Sequence, residues 1–308
     1  LAHYLDALTT ATRAIEGVDF AKISRLMIVG CGTAAYAGMT ARYAFEQLAG
    51  LPVAVDIASE FRYREPAFLP GDAALFISQS GETADTLEAL RLCRQAGVPA
   101  IALVNTPGST MAREADVVLP TLAGPEIGVA STKAFTCQLA ALFALALRAG
   151  VERGRIAPDD AARETAALLH APGLMGEALH LEDAVELLAA DLSRSPIVLY
   201  LGRDIHYPLA LEGALKLKEI SYLHAEGYAA GELKHGPIAL IEEGVSVVVI
   251  APTTPLFAKT RSSILEVKSR GATVIALTDE AGAAELEGEA DRVVVLPSGG
   301  RLGDCFAA

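Results

Sequence analysis

Short apolar runs alternate with longer stretches of helical periodicity along this 308-residue chain. Residues 26–29, 53–57, 73–77, 100–104 and 117–119 are apolar at nearly every position, the pattern of strands buried on both faces of a parallel sheet. Helical stretches lie between them. One runs from the Gly30-Cys-Gly-Thr33 turn to about Leu48, one from Thr83 to Ala96 with Gly97 closing it, and a long apolar one follows Ser131 as far as Leu147. Residues 59–64 read as a polar loop or short helix, and residues 1–20, with Leu5, Leu8, Ala11 and Ile15 on one face, as an amphipathic helix. Strand and helix in alternation predict a sheet covered on both sides.

A break falls at residues 150–158, and residues 159–192 are rich in Ala, Leu and Glu. They read as two connecting helices with Pro172-Gly173 turning the chain between them. The strand–helix pattern then restarts, with strands at 196–201, 245–250, 274–277 and 293–296 and helices at 209–220 and 259–270. Residues 222–237 carry little periodicity and read as a long irregular loop. The halves resemble each other: Gly97 matches Gly271, the strand at 100–103 matches that at 274–277, and Glu114-Ala-Asp116 matches Glu289-Ala-Asp291. A spacing held at 174 to 175 residues indicates internal duplication. The predicted architecture is α/β, with two doubly wound, flavodoxin-like parallel-sheet domains. The expected boundaries are an N-terminal helix at 1–20, a first domain at 21–150, connecting helices at 151–192 and a second domain at 193–308. Ligands of such sheets bind outside the carboxyl ends of the strands.

Charge and composition narrow the partners. A net charge of −13 and a pI near 4.9 argue against nucleic acid or an anionic membrane, but not against a small anion held by local dipoles. No uncharged apolar run reaches 18 residues, and the longest candidate, 134–147, is too short to span a bilayer. Nothing after Leu1 resembles a basic-then-apolar leader, and a chain opening on Leu reads as an excised fragment. Cys31, Cys93, Cys137 and Cys305 are scattered without metal-ligand spacing, as in a reduced, cytosolic protein; no metal and no cofactor are expected. Cys31 has no base near it in sequence, so packing is the favoured reading over reactivity.

Three turns after strands collect small polar groups: Gly32-Thr33, Ser78-Gln-Ser80 with Thr83, and Val129-Ala-Ser131-Thr132. In the second, a strand breaks into Ser78, Gln79, Ser80, Gly81 and Thr83 before a helix begins. Hydroxyls beside a helix N-terminus suit a phosphate monoester held by neutral donors, and the absence of a Gly-rich Lys-Ser/Thr signature excludes a Walker loop. The competing reading is an ordinary N-cap, for which one Ser would suffice. None of these turns contains a strong base. The second half does, on the helix at 209–220, where Glu212, Lys216 and Glu219 share one face. A solvated face of i,i+4 pairs is the bland reading; an acid–base set with His224 or His235 from the following loop is the functional one.

Five segments carry a resemblance: Ile57-Ala-Ser-Glu-Phe-Arg-Tyr-Arg64, Ser78-Gln-Ser-Gly-Glu-Thr-Ala-Asp-Thr86, Glu126-Ile-Gly-Val-Ala-Ser-Thr-Lys-Ala-Phe135, Leu211-Glu-Gly-Ala-Leu-Lys-Leu-Lys-Glu-Ile-Ser-Tyr222 and Ala229-Ala-Gly-Glu-Leu-Lys-His-Gly-Pro237. In combination, over residues 25–297, they resemble the isomerase half of the glutamine–fructose-6-phosphate aminotransferases, or glucosamine-6-phosphate synthases, which consists of two sugar isomerase (SIS) domains. The resemblance implies that Ser78, Gln79, Ser80 and Thr83 bind a sugar phosphate, while Gly32, Thr33, Val129 and Ser131 line the sugar. It implies that Glu219 moves a proton between C2 and C1, that Lys216 assists, and that His235 opens the sugar ring. It further implies a homodimer with His235 reaching the neighbouring subunit's site, and an N-terminal glutaminase domain in the full-length protein.

Two departures stand out. Ala34 occupies a position where the family usually has Ser, so one hydroxyl on the phosphate side is lost. The family also continues beyond this chain's end, into a tail whose lysine forms a Schiff base with fructose 6-phosphate, so inefficient amination is expected of the chain as given. Competing readings are a sugar-phosphate sensor that binds without turnover, and a stand-alone amino-sugar-phosphate deaminase or isomerase.

Overall fold

The computed structural model describes residues 17–308, so most of the helix expected over residues 1–20 lies outside the described residues. The chain divides into two compact units, up to Leu169 and from His170 onward.

The first unit is built on a parallel sheet in the order β2-β1-β3-β4-β5. Its strands are β1 (Arg25–Gly30), β2 (Val53–Ile57), β3 (Asp72–Ser78), β4 (Ala100–Val104) and β5 (Val117–Pro120). All seven residues of β3 are buried, as a central strand with helices on both faces requires. Helix Lys133–Glu152 packs on helix Thr33–Ala49 and is longer than the sequence pattern indicated. At 20 residues it is long and apolar enough to cross a membrane by those criteria alone, but most of its surface is buried inside this unit. Arg25 at the start of β1 ties this strand to its neighbour by gripping both carboxylate oxygens of Asp72 at the start of β3, while Leu69 N–H donates to Asp72 Oδ2 at 2.8 Å.

The second unit repeats the plan. Strands β6 (Val198–Gly202), β7 (Ala225–Ala229), β8 (Ser246–Ile250), β9 (Thr273–Thr278) and β10 (Arg292–Val295) form a parallel sheet in the order β10-β9-β8-β6-β7. Read from the other edge, this is the strand order of the first unit, as duplication requires.

The repeated Glu-Ala-Asp motif has a repeated job. Glu114 takes two N–H donors from Arg91, at 2.7 and 2.6 Å, and Glu289 takes two from Arg261, both at 2.7 Å. Two residues on, Asp116 accepts from Ala100 N–H and Asp291 from Val274 N–H, each at 2.8 Å. In both units the motif therefore fastens the preceding helix to the first residues of the neighbouring strand. Such bidentate pairs fix geometry as well as adding attraction.

Two expectations change. Pro172 does not turn the chain; it sits in the first turn of helix Ala171–Ala178, where its missing N–H costs no hydrogen bond. The loop expected at 222–237 contains the edge strand β7, followed by 3₁₀ turns at Leu233–His235 and Pro237–Leu240. The segment Ala-Glu-Gly-Tyr-Ala has no β-branched residue, so composition concealed the strand. Gly227 explains its form: a Cβ there would lie 2.7 Å from Leu211 Cα and 2.8 Å from Ala210 O, so only glycine lets β7 pack this closely on the preceding helix, His206–Ser221.

Candidate functional site

In the first unit, β1 and β3 end beside each other, and the turns that follow them enclose a cleft of about 220 Å³. Its lining includes Thr33, Ala34, Ser78, Gln79, Ser80, Thr83 and Ser131. All three small-residue turns thus contribute, which the sequence could suggest only as separate segments. Gly32 lies just before helix Thr33–Ala49 and is not among the lining residues, and Val129 is 98% exposed and does not line the cleft.

The turn after β3 is held from inside. Ser78 Oγ accepts from Gly81 N–H at 3.0 Å and lies 3.2 Å from Thr83 Oγ1. Ser80 Oγ accepts from Glu82 N–H at 3.1 Å. Gly81 has φ +67°, and a Cβ there would lie 2.1 Å from Ser109 Oγ, so this position is glycine for both conformation and space. Thr83 precedes helix Ala84–Gln95, yet no side chain caps that helix. The hydroxyls therefore do not serve as an N-cap. What results is a set of neutral O–H and N–H groups beside a helix N-terminus, an arrangement suited to an oxyanion.

Glu126 was not singled out from the sequence, because it stands seven residues before the helix it serves. Its Oε1 accepts from Thr132 N–H at 2.9 Å and Ala134 N–H at 3.3 Å, and its Oε2 from Ser131 Oγ at 3.1 Å. It occupies the positive end of helix Lys133–Glu152 and orients Ser131. Cys31, Thr86 and Gln138 also line the cleft, though none of them was named as a ligand-binding residue from the sequence. Cys31 Sγ receives Thr86 Oγ1–H at 3.8 Å.

In the second unit, helix His206–Ser221 carries Glu212, Lys216 and Glu219. Lys216 Nζ lies 2.6 Å from Glu219 Oε2 and 3.5 Å from Glu212 Oε1. Glu212 is buried, Lys216 half-buried, and the Glu219 side chain 32% exposed. The bland reading of a solvated face fails for Glu212 and Lys216. The triad instead forms a graded set in which an inner carboxylate anchors the lysine and an outer one meets solvent. Glu219 can exchange a proton with a ligand while the adjacent ammonium stabilises negative charge that develops there. Lys218, a third of a turn away, is exposed.

His235 is exposed in the 3₁₀ turn Leu233–His235, and its ring makes no hydrogen bond or ion pair among the described residues. His224 faces Glu226, with Nε2 3.8 Å from Oε1.

The turn after β8 corresponds in strand order to the anion-suited turn after β3, but the donors of its Thr253 are occupied. Asp279 Oδ2 accepts from Thr253 N–H at 2.7 Å, and Oδ1 accepts from Thr253 Oγ1 at 2.6 Å and Gly282 N–H at 2.8 Å. Burial pushes this carboxyl up, but the hydrogen bonds from Thr253 and Gly282 outweigh it and hold Asp279 below the usual carboxylate range.

Two doubly wound sheets of the same order, one with a cleft of neutral donors at its switch point, define a class. The SIS domain matches residues 19–148 and 191–300, and this chain belongs to the SIS-domain family. Among its relatives, the glutamine–fructose-6-phosphate aminotransferase [isomerizing] of Mesorhizobium japonicum is 58% identical over 96% of this chain and 49% of that protein. The protein of the same name from Agrobacterium fabrum is 56% identical over 97% of this chain and 49% of its own length. The chain therefore spans about half the length of the curated relatives it matches. The solved C-terminal domain of glucosamine-fructose-6-phosphate aminotransferase from Francisella tularensis superposes with a TM-score of 0.93 at 39% identity, covering 99% of this chain and 87% of that one.

Proposed function

We propose that this chain is the sugar-phosphate isomerase unit of a glutamine–fructose-6-phosphate aminotransferase. The observation that carries the reading is the Lys216–Glu219 pair, 2.6 Å apart on a helix whose inner carboxylate is buried. In this reading the first unit holds the substrate's 6-phosphate through Ser78, Gln79, Ser80 and Thr83, and Thr33 and Ser131 meet the sugar. Glu219 removes the proton from C1 of the ketose-derived imine and returns it at C2, leaving the aldose amine. Lys216 stabilises the negative charge carried by the intermediate between these steps. On fructose 6-phosphate alone the same proton transfer yields glucose 6-phosphate through an enediolate.

The exposed, unengaged ring of His235 supports its use in ring opening at the site of a neighbouring subunit, within a homodimer. A glutaminase domain N-terminal to this unit would supply ammonia, and the relatives' length leaves room for one. Cytoplasmic placement fits the net charge of −13 and the scattered spacing of the cysteines.

A coupled assay for glucose 6-phosphate formed from fructose 6-phosphate tests the reading. Turnover by the unaltered chain that disappears in Glu219→Gln supports it. A chain that binds hexose phosphate without any turnover, in both this form and one extended by the family's C-terminal tail, would make it a sensor instead. Mixing Glu219→Gln with His235→Ala subunits tests the shared site: activity regained in the mixture supports sharing, and its absence opposes it.

A further inference from the structure

The segment between β5 and helix Lys133–Glu152 is tied down at both ends. At its base, Asn105 Nδ2 donates to Gly124 O at 2.7 Å, while Asn105 Oδ1 accepts from Thr121 Oγ1 at 3.1 Å and Ala123 N–H at 2.9 Å. Asn105 N–H donates to Gln79 O at 3.1 Å, which fastens this base to the turn after β3. At the far end, Glu126 holds the N–H groups of Thr132 and Ala134 together with the Ser131 hydroxyl. Ser131 is half-buried and lines the cleft, so its place opposite the turn after β3 is fixed from two sides.

These contacts also decide where hydroxyl hydrogens point. A serine hydroxyl has one hydrogen to give and two lone pairs to offer, and a carboxylate only accepts. Ser131 therefore gives its hydrogen to Glu126 Oε2, at 3.1 Å, and is left with lone pairs for the cleft. Ser80 has the reverse arrangement: its Oγ accepts from Glu82 N–H at 3.1 Å, and its hydrogen meets no acceptor among the described residues. The cleft has a donating wall after β3 and an accepting point at Ser131.

We propose that Glu126 is a positioning residue that fixes Ser131 as a hydrogen-bond acceptor for a hydroxyl of the bound hexose phosphate. This rests on the reading of the cleft as a hexose-phosphate site. The dianion of a phosphate monoester has no hydrogen to give Ser131 and finds its donors after β3, whereas a sugar hydroxyl has one. The two walls thereby set the direction in which the substrate lies. A hydroxyl already donating to a carboxylate is also the stronger acceptor, because successive hydrogen bonds polarise one another. Glu126 acts through Ser131 and does not touch the ligand.

The test is a double-mutant cycle in the full 308-residue chain, with fructose 6-phosphate and inorganic phosphate as separate probes in calorimetric titrations. In Glu126→Gln the amide oxygen still serves the helix N–H groups, but the NH2 group faces Ser131 and donates where the carboxylate accepted. The expected loss of affinity for fructose 6-phosphate is about 3- to 10-fold in Glu126→Gln and about 10-fold in Ser131→Ala, and the double variant matches Ser131→Ala. Inorganic phosphate binds all three variants as it binds the unaltered chain, and the melting temperature of Glu126→Gln falls by about 2–4 °C as the helix end loosens. A further loss when Glu126→Gln is added to Ser131→Ala would show the carboxylate acting otherwise than through the serine, and equal loss for both probes would make it a structural cap; either overturns the proposal. Full affinity for fructose 6-phosphate in Ser131→Ala overturns it as well, and that variant leaves the Glu126 contacts to the helix in place should Glu126→Gln fail to fold. If the unaltered chain does not bind fructose 6-phosphate, it is the hexose-phosphate reading itself that fails, a result separable from the others.

Discussion

Lys216 is shared between two carboxylates of opposite setting: Glu219 at the surface, 2.6 Å away, and Glu212 in the interior, at 3.5 Å. The two contacts do different things, and substitutions separate them. Glu219→Gln is expected to lower isomerisation by about 10²- to 10⁴-fold, the range of a lost general acid–base group, with hexose-phosphate affinity changed less than threefold. Lys216→Met is expected to reduce turnover as well, and also to destabilise the fold by about 2–4 kcal/mol, because it removes the cation beside a buried Glu212. Parallel kinetics and denaturant melts of the two variants check this. Equal stability loss in both would remove the distinction between inner and outer carboxylate.

The hydroxyls after β3 should be unequal. Ser78 is buried and accepts from Gly81 N–H, so Ser78→Ala is expected to cost stability and binding together. Ser80→Ala and Thr83→Ala are expected to weaken hexose-phosphate binding about tenfold each, with little change in melting temperature. Titration with fructose 6-phosphate alongside thermal melts reads both quantities.

Ala34 lines the same cleft at the start of helix Thr33–Ala49. Ala34→Ser adds one hydroxyl where the donors gather, and inorganic phosphate is expected to bind about three- to tenfold more tightly. No gain, with the fold intact, would mean that the phosphate lies away from this helix N-terminus.

Gly227→Ala sets a Cβ against the backbone of Leu211, on the helix that carries Glu212, Lys216 and Glu219. Backbone cannot move aside as a side-chain tip can, so a loss of about 3 kcal/mol is expected, together with a fall in turnover as Lys216 and Glu219 are displaced. A melt and the coupled assay on the same preparation suffice.

Acid stability follows from the clasped carboxylates. Burial raises Asp72, but its hydrogen bonds from Arg25 and Leu69 N–H prevail and its pKa is lowered; Asp291 behaves likewise, burial being outweighed by Lys268 and Val274 N–H. A depressed folded-state pKa gives stability that is complete above the unfolded carboxylate value of about 4 and is lost as pH falls through the folded value. The melting temperature should therefore hold from pH 8 to 5 as far as these groups are concerned and drop below pH 4. Asp72→Asn should start lower and fall less steeply over the acid limb.

The sheets were legible in the sequence wherever strands were apolar runs, and β2 and β4 occupy the residues the pattern marked. β7 was not legible, because an edge strand of Ala, Glu, Gly and Tyr owes its form to the helix pressed against it. The short helices Thr110–Glu114, Glu280–Glu285 and Gly300–Ala307 span too few turns to display periodicity. Within the site, the polar turn at 78–83 and the Glu212-Lys216-Glu219 face were visible because their members are close in sequence. Glu126 was hidden because its hydrogen bonds span a turn of irregular chain brought together by folding, and Gln138, which lines the cleft, because it stands on a helix that otherwise reads as core.

Asp279 gives the duplicated architecture a polarity. Two copies of one sheet would ordinarily offer a dianion two equivalent addresses, and a symmetric ligand trap has no front or back. In this chain an internal carboxylate, reaching over from the end of β9, already holds the Thr253 donors of the turn after β8. The symmetry of the duplication is broken at this carboxylate, which sits where a bound anion would otherwise meet the same donors.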